Sequence, residues 1–140
     1  MKETSSADYE AAKRAVLDYV EAVYEADPSK IERSVHHDLN KGGFFKKDAG
    51  AVYNFTSMTF TDIVELSKNY NKDSRIPEDA PKDVIIFDMT GQIASVKLVA
   101  WWGIDYMHLA KYEDKWMIVN VLWQTYPDQD ARLAKLEGKK

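Results

Sequence analysis

The sequence contains no cysteine. Disulfides, thiolate nucleophiles and cysteine-ligated zinc are therefore excluded, while either redox compartment stays open. No apolar run approaches the length of a membrane span. Residues 1–8 are polar and hold no apolar signal core, so a cytoplasmic location is expected, although a signal already removed leaves no trace. A basic excess is also missing: 19 Lys and Arg stand against 23 Asp and Glu, a formal net charge of −4. Nucleic acids and anionic membranes need a basic footprint, so neither is expected as a partner. Gly42-Gly43 lacks both the pattern of a phosphate loop and a helix after it. No serine occupies a nucleophile elbow. The three histidines, His36, His37 and His108, lack helical or hairpin ligand spacing, so no metal is assigned. Nothing in the sequence identifies a cofactor.

What is present reads as one globular domain. The 140 residues are 45% hydrophobic and 30% charged. That length and balance suit a real core, burying roughly two-thirds of the chain's surface. One domain over 1–140 is expected, with an ordered core at 8–126, a polar start and a basic tail at 128–138. Tyr9, Ala12, Val16, Tyr19, Val20, Val23 and Tyr24 recur at helical spacing and predict a helix over 7–26, capped by Ser5, Ser6 or Asp8. Asp27-Pro28 stops it and starts a short helix over 29–36, with Ile31 and Val35 as its apolar edge. Adjacent His36 and His37 then fall at a helix C-terminus, where the backbone dipole favours imidazolium. Residues 41–47 predict a strand, 48–50 a turn and 51–56 its hairpin partner. Thr59 and Asp62 resemble a capping box, opening a helix over 60–70 that buries Ile63, Leu66 and Tyr70.

After a polar loop at 71–82 the chain predicts a meander: strands at 83–90, 93–101, 104–112 and 115–125. Their turns are Gly91-Gln92, Trp102-Gly103 and Glu113-Asp114. Connections this short join antiparallel neighbours. Helices followed by such a sheet give an α+β fold with helices on one sheet face.

This order resembles the nuclear-transport-factor-2-like superfamily, and within it the "putative lumazine-binding" group of bacterial proteins. The resemblance rests on His36-His37-Asp38-Leu39-Asn40-Lys41, on Gly103-Ile104-Asp105-Tyr106-Met107-His108-Leu109 and on Asp114-Lys115-Trp116-Met117-Ile118-Val119-Asn120. It covers about 8–125, and departs from the group's frequent proline at His37. It implies a cone-shaped fold of N-terminal helices packed on a curved antiparallel sheet, a homodimer through the sheet face, and a lumazine or flavin-like ligand. The superfamily spans isomerases, dehydratases, epoxide hydrolases, cyclases and plain binding proteins, so the fold selects no reaction.

Strand alternation gives the expected pocket. With two-residue turns, Met107 faces Asn120, Asp105 faces Leu122, and Ala100 faces Asp105. One sheet face is then Ala94, Val96, Leu98, Ala100, Asp105, Met107, Leu109, Ile118, Asn120 and Leu122. An apolar concavity with a few converging polar groups describes a small-molecule site. The expected ligand contacts are Asp105, Asn120, Met107, Leu122, Leu98 and Trp102. Asp105 is the candidate catalytic acid or base, because desolvation resists its ionisation; as a structural carboxylate it would only accept bonds from the adjacent turn. His108 points away from Asp105, so a dyad is not expected. The opposite face, with Tyr106, His108, Val121 and Trp123, is the expected dimer surface. Three functions follow: a small-molecule-binding protein, an isomerase, dehydratase or cyclase using Asp105, and a protein-interaction module.

Overall fold

The computed structural model describes residues 5–46 and 52–126. Helix α1 runs Ser6–Glu25. The Ser5 hydroxyl accepts the Asp8 N–H at 3.1 Å as its N-cap, and Ala26 closes it in the left-handed conformation at φ 55°. Ala12, Ala15, Val16, Tyr19, Val20 and Val23 form its buried stripe. Each fully buried large aliphatic side chain there contributes about 1.5–3 kcal/mol relative to exposure. Tyr9 lies outside that stripe and is exposed, contrary to the periodicity.

Asp27 caps α2 (Pro28–Ser34), accepting from the Ser29 N–H at 3.1 Å, with Pro28 in the first turn. This helix is shorter than expected, because β1 (Val35–Phe45) starts at once. His36 and His37 therefore belong to a strand, not to a helix end. Their rings still diverge: His36 stacks on Tyr112 at 4.7 Å and His37 meets Phe60 at 4.6 Å. Strand β2 (Asn54–Met58) pairs antiparallel with β1 as expected, whereas the turn expected at 48–50 lies outside the described residues. The capping box of α3 (Phe60–Asn69) is fully formed between Thr59 and Asp62.

The meander follows as β3 (Asp83–Thr90), β4 (Ile93–Val99), β5 (Gly103–Tyr112) and β6 (Lys115–Thr125). Six strands make one curved sheet in the order β2-β1-β6-β5-β4-β3. All pairs are antiparallel except β1–β6, which is parallel. The sheet is thus mixed, a correction to the wholly antiparallel expectation. Parallel neighbours need a long crossover, and here the rest of the chain between them supplies it. The helices cover one face, as the fold class requires. Among the described residues, no helix is long and apolar enough to cross a membrane.

Two irregularities reset the expected register. Residues 100–103 form a longer loop, in which the Ala100 N–H donates to the Gly103 carbonyl at 3.0 Å. Asp105 consequently faces Leu98, and Met107 faces Val96. That slip of two keeps the same residues inward. The second is a bulge in β6: Leu109 pairs with Ile118, but His108 pairs with Asn120, so Val119 is the extra residue. A slip of one exchanges faces. Beyond Val119, Val121 and Trp123 turn inward opposite Met107 and Asp105, while Asn120 and Leu122 turn outward.

Candidate functional site

Between α1, α3 and the sheet lies a cavity of about 360 Å³. Tyr19 and Val23 reach it from α1, Ile63 and Leu66 from α3, and Tyr70 from the residue just beyond α3. The sheet supplies Lys41 and Phe45 from β1, Met58 from β2, and Trp123 and Thr125 from β6. Lys46, Arg75 and Trp102 complete the wall. A larger groove of about 540 Å³ runs between the end of α1 and loop 71–82, but its wall is more polar and includes the Glu21–Lys82 ion pair at 3.0 Å. The smaller cavity is the better site, because mostly apolar walls with few polar groups favour a ligand.

Aromatic rings build its shape. Trp102 makes edge contacts with Tyr19 at 6.4 Å and with Tyr24 and Tyr70 at 5.9 Å each. Hydrogen bonds hold the loop that carries it: the Trp101 N–H donates to the Tyr24 hydroxyl at 2.8 Å, and the Tyr126 hydroxyl donates to the Ala100 carbonyl. Trp123 lies across Gly43, where a Cβ would collide with the indole. Glycine at that strand position is what lets the ring lie flat against the sheet.

The polar centre is Lys41. Alternation along β1 turns Leu39, Lys41 and Gly43 inward, and Lys41 is only 6% exposed. Its ammonium donates to the Tyr19 hydroxyl and sits 5.1 Å from the Tyr19 ring centre and 5.9 Å from that of Trp123. Burial pulls its pKa down to about 8, against the opposing pull of Asp105. The same burial, reinforced by Asp105, pushes the Tyr19 hydroxyl well above the usual phenol range. Asp105 is fully buried, and burial raises its carboxyl to about 6 although Lys41 and the Trp102 bond pull the other way. The Trp102 indole donates to Asp105 Oδ1 at 3.0 Å, while Oδ2 has no hydrogen-bond partner among the described residues.

The expected site residues therefore separate. Trp102 is on the cavity wall, and Asp105 stands behind it, joined through the indole. Leu98 and Met107 point inward but are sealed in the core. Asn120 and Leu122 are on the other face: Asn120 donates to the Asn40 carbonyl at 3.2 Å, and Leu122 is 50% exposed. Conversely, Val121 is buried and Trp123 lines the cavity, so neither belongs to the outer surface. Sequence reasoning missed Lys41, Tyr19, Tyr70 and Arg75. Tyr19 was legible only as packing, and Lys41 only as part of a strand.

The "Putative lumazine-binding" family model matches residues 7–124. No curated protein matches the chain. A nuclear-transport-factor-2-like protein of unknown function from Silicibacter pomeroyi is 16% identical, with a TM-score of 0.64 over 88% of this chain and 100% of its own. A similar protein of unknown function from Methylobacillus flagellatus is 18% identical, with a TM-score of 0.67 over 89% of this chain and 96% of its own. A structure described as a putative scytalone dehydratase from Novosphingobium aromaticivorans is 10% identical, with a TM-score of 0.59 over 86% and 85%. At such identities these likenesses establish the fold alone. With the family model spanning nearly all of the described residues, the chain belongs to the "putative lumazine-binding" family and has the nuclear-transport-factor-2-like fold.

Proposed function

We propose that this protein binds a small, flat, ring-containing molecule in the cavity between α1, α3 and the sheet, with lumazine and flavin-like heterocycles as the first class to test. The observation that carries this reading is a buried ammonium on the wall of an otherwise largely aromatic and aliphatic cavity. Its volume of about 360 Å³ lies within the usual range for ligand sites. Trp102, Tyr70 and Trp123 offer ring faces or edges, and Lys41 offers a directional donor. The family's description supports the same class of ligand. The test is thermal unfolding against lumazines, flavins, steroids and polyketide-like aromatics. A ligand at one hundred times its Kd adds about 2.7 kcal/mol, which raises Tm by roughly 5–10 °C in a domain of this size. A flat response to lumazines and flavins refutes the heterocycle reading, and a flat response to the whole panel counts against the cavity as a ring-binding site.

A second reading makes the protein an isomerase, dehydratase or cyclase with Asp105 as general acid or base. The observation favouring it is Asp105 itself, a buried carboxyl near pKa 6 with one oxygen unpartnered among the described residues. Because Trp102 stands between it and the cavity, this reading requires the indole to move aside. Proton exchange of a bound ligand in D2O, lost in Asp105→Asn, is the expected sign. Equal exchange in the variant removes Asp105 from the role.

The outer sheet face supports a homodimer on a revised set of residues. Tyr106 and His108 remain there, joined by Leu122 and Phe87 in place of Val121 and Trp123. Tyr106 is 51% exposed and its ring lies 6.2 Å from that of Phe87. Large exposed apolar groups clustered on one face mark an interaction surface.

A further inference from the structure

We propose that the cavity selects organic anions: planar ring compounds bearing a carboxylate or another group ionised at neutral pH, with Lys41 holding the charge. This rests on the ligand-binding reading above and narrows it to one charge class. The chain as a whole is acidic at −4, yet the described cavity wall carries Lys41, Lys46 and Arg75 and no carboxylate.

Burial without an ion pair sets Lys41 apart: Lys13, Lys72, Lys97 and Lys115 also lack a carboxylate partner among the described residues, but none of them is buried. Arg14, Lys30, Arg33, Lys68, Lys82 and Lys111 each have a carboxylate oxygen within 3.1 Å. The three wall cations have none among the described residues. Lys46 instead lies 4.4 Å from the Tyr53 ring centre, and Arg75 lies 4.1 Å from that of Tyr70 while donating to the Tyr70 carbonyl at 3.1 Å. Lys41 has three donor hydrogens and, among the described residues, one hydrogen-bond acceptor, the Tyr19 hydroxyl. A buried charge normally needs a counter-charge and full hydrogen bonding. Asp105 influences Lys41 through space, but its Oδ1 is taken by Trp102 and it makes no ion pair with the ammonium. Even counting Asp105, cations predominate three to one around the cavity. An anionic ligand supplies what the wall lacks, and its charge opposes the effect of the burial that pulls Lys41 towards about 8.

The test uses charge-matched probes on the whole protein: 6-carboxypterin against pterin, 2-naphthoate against 2-naphthamide, and flavin mononucleotide against riboflavin, by titration calorimetry at neutral pH. The acid member of at least one pair should bind about tenfold tighter or more, as a hydrogen bond to a charged group implies. That advantage should vanish in Lys41→Met. It should shrink by roughly threefold in Arg75→Gln, whose site is exposed and whose folding is not at stake, as for a rim charge of modest worth. Equal binding of both members, or preference for the neutral one, overturns anion selection and leaves the ligand-binding reading intact. Binding by neither member of any pair overturns both.

Discussion

Replacing Asp105 by asparagine should change how stability responds to pH more than it changes stability itself. Asp105 is fully buried, and its carboxyl rises from 3.8 to about 6 on folding. That difference corresponds to about 3 kcal/mol between the two protonation states. The folded state holds the proton more tightly, so the native protein is favoured at low pH. This advantage is complete below the unfolded value of 3.8 and is lost as pH rises through about 6. Asparagine does not titrate and keeps an oxygen for the Trp102 indole. Its amide N–H groups land where Oδ2 has no partner among the described residues, a penalty of about 1–3 kcal/mol that does not vary with pH. Loss of the carboxylate also lets Lys41 fall further below its present value, which favours the variant as pH rises. Both titrations therefore act in one direction. From pH 4 to 7.5, the variant should gain about 3 kcal/mol on the wild type, or roughly 10 °C in Tm. Urea and thermal unfolding of both proteins across that range provide the assay. A difference that stays constant with pH, or a variant that loses ground to the wild type as pH rises, refutes this role for Asp105.

Four further outcomes are expected. Tyr19→Phe removes the hydrogen-bond acceptor that Lys41 has among the described residues and should cost about 1–3 kcal/mol in urea unfolding; a neutral effect would mean that Lys41 does not depend on Tyr19. Gly43→Ala forces Trp123 off β1, costing about 1–3 kcal/mol and shifting tryptophan emission; an unaltered spectrum contradicts the close approach. Thr59→Ala deletes the N-cap of α3 and should cost about 1 kcal/mol, measured by the midpoint of urea unfolding. The double variant Tyr106→Ser, Leu122→Asp should sediment as a monomer if the outer face is the dimer contact, and a persisting dimer places that contact elsewhere.

The parts of the fold legible in the sequence were those fixed by local chemistry. Asp27-Pro28, the Thr59–Asp62 box and the Glu113-Asp114 turn each satisfy backbone groups with adjacent side chains or tolerate positive φ. Glu113 and Asp114 indeed sit at φ 48° and 67°, the conformation of a tight hairpin turn. The parallel β1–β6 pair was not legible, because no local signal says which distant strand lies beside Lys41. The bulge at Val119 was equally silent. Residues 117–122 suit a strand with either alternation, so the pattern could not reveal that Asn120 and Trp123 had exchanged sides.

The same two features hid most of the site. Asp105 and Trp102 were found because one carboxylate in an apolar face stands out. Lys41 did not stand out, since lysines are almost always exposed and its burial depends on Tyr19 arriving from α1. Tyr19 belonged to a helical stripe that reads as core, and it is core. It is a site residue only because a sheet lysine reaches its hydroxyl.

If the cavity over Lys41 is the ligand site, filling it should remove binding. The most direct test is titration of whichever lumazine or flavin binds the wild type into a plugged variant, Leu66→Trp, once its unfolding has been checked as native-like. Leu66 lines the cavity from half-buried α3, so the larger ring should occupy the space. Affinity should fall by two orders of magnitude or more, on the order of 3 kcal/mol. Unchanged affinity in a folded Leu66→Trp protein would contradict this site and place the ligand elsewhere.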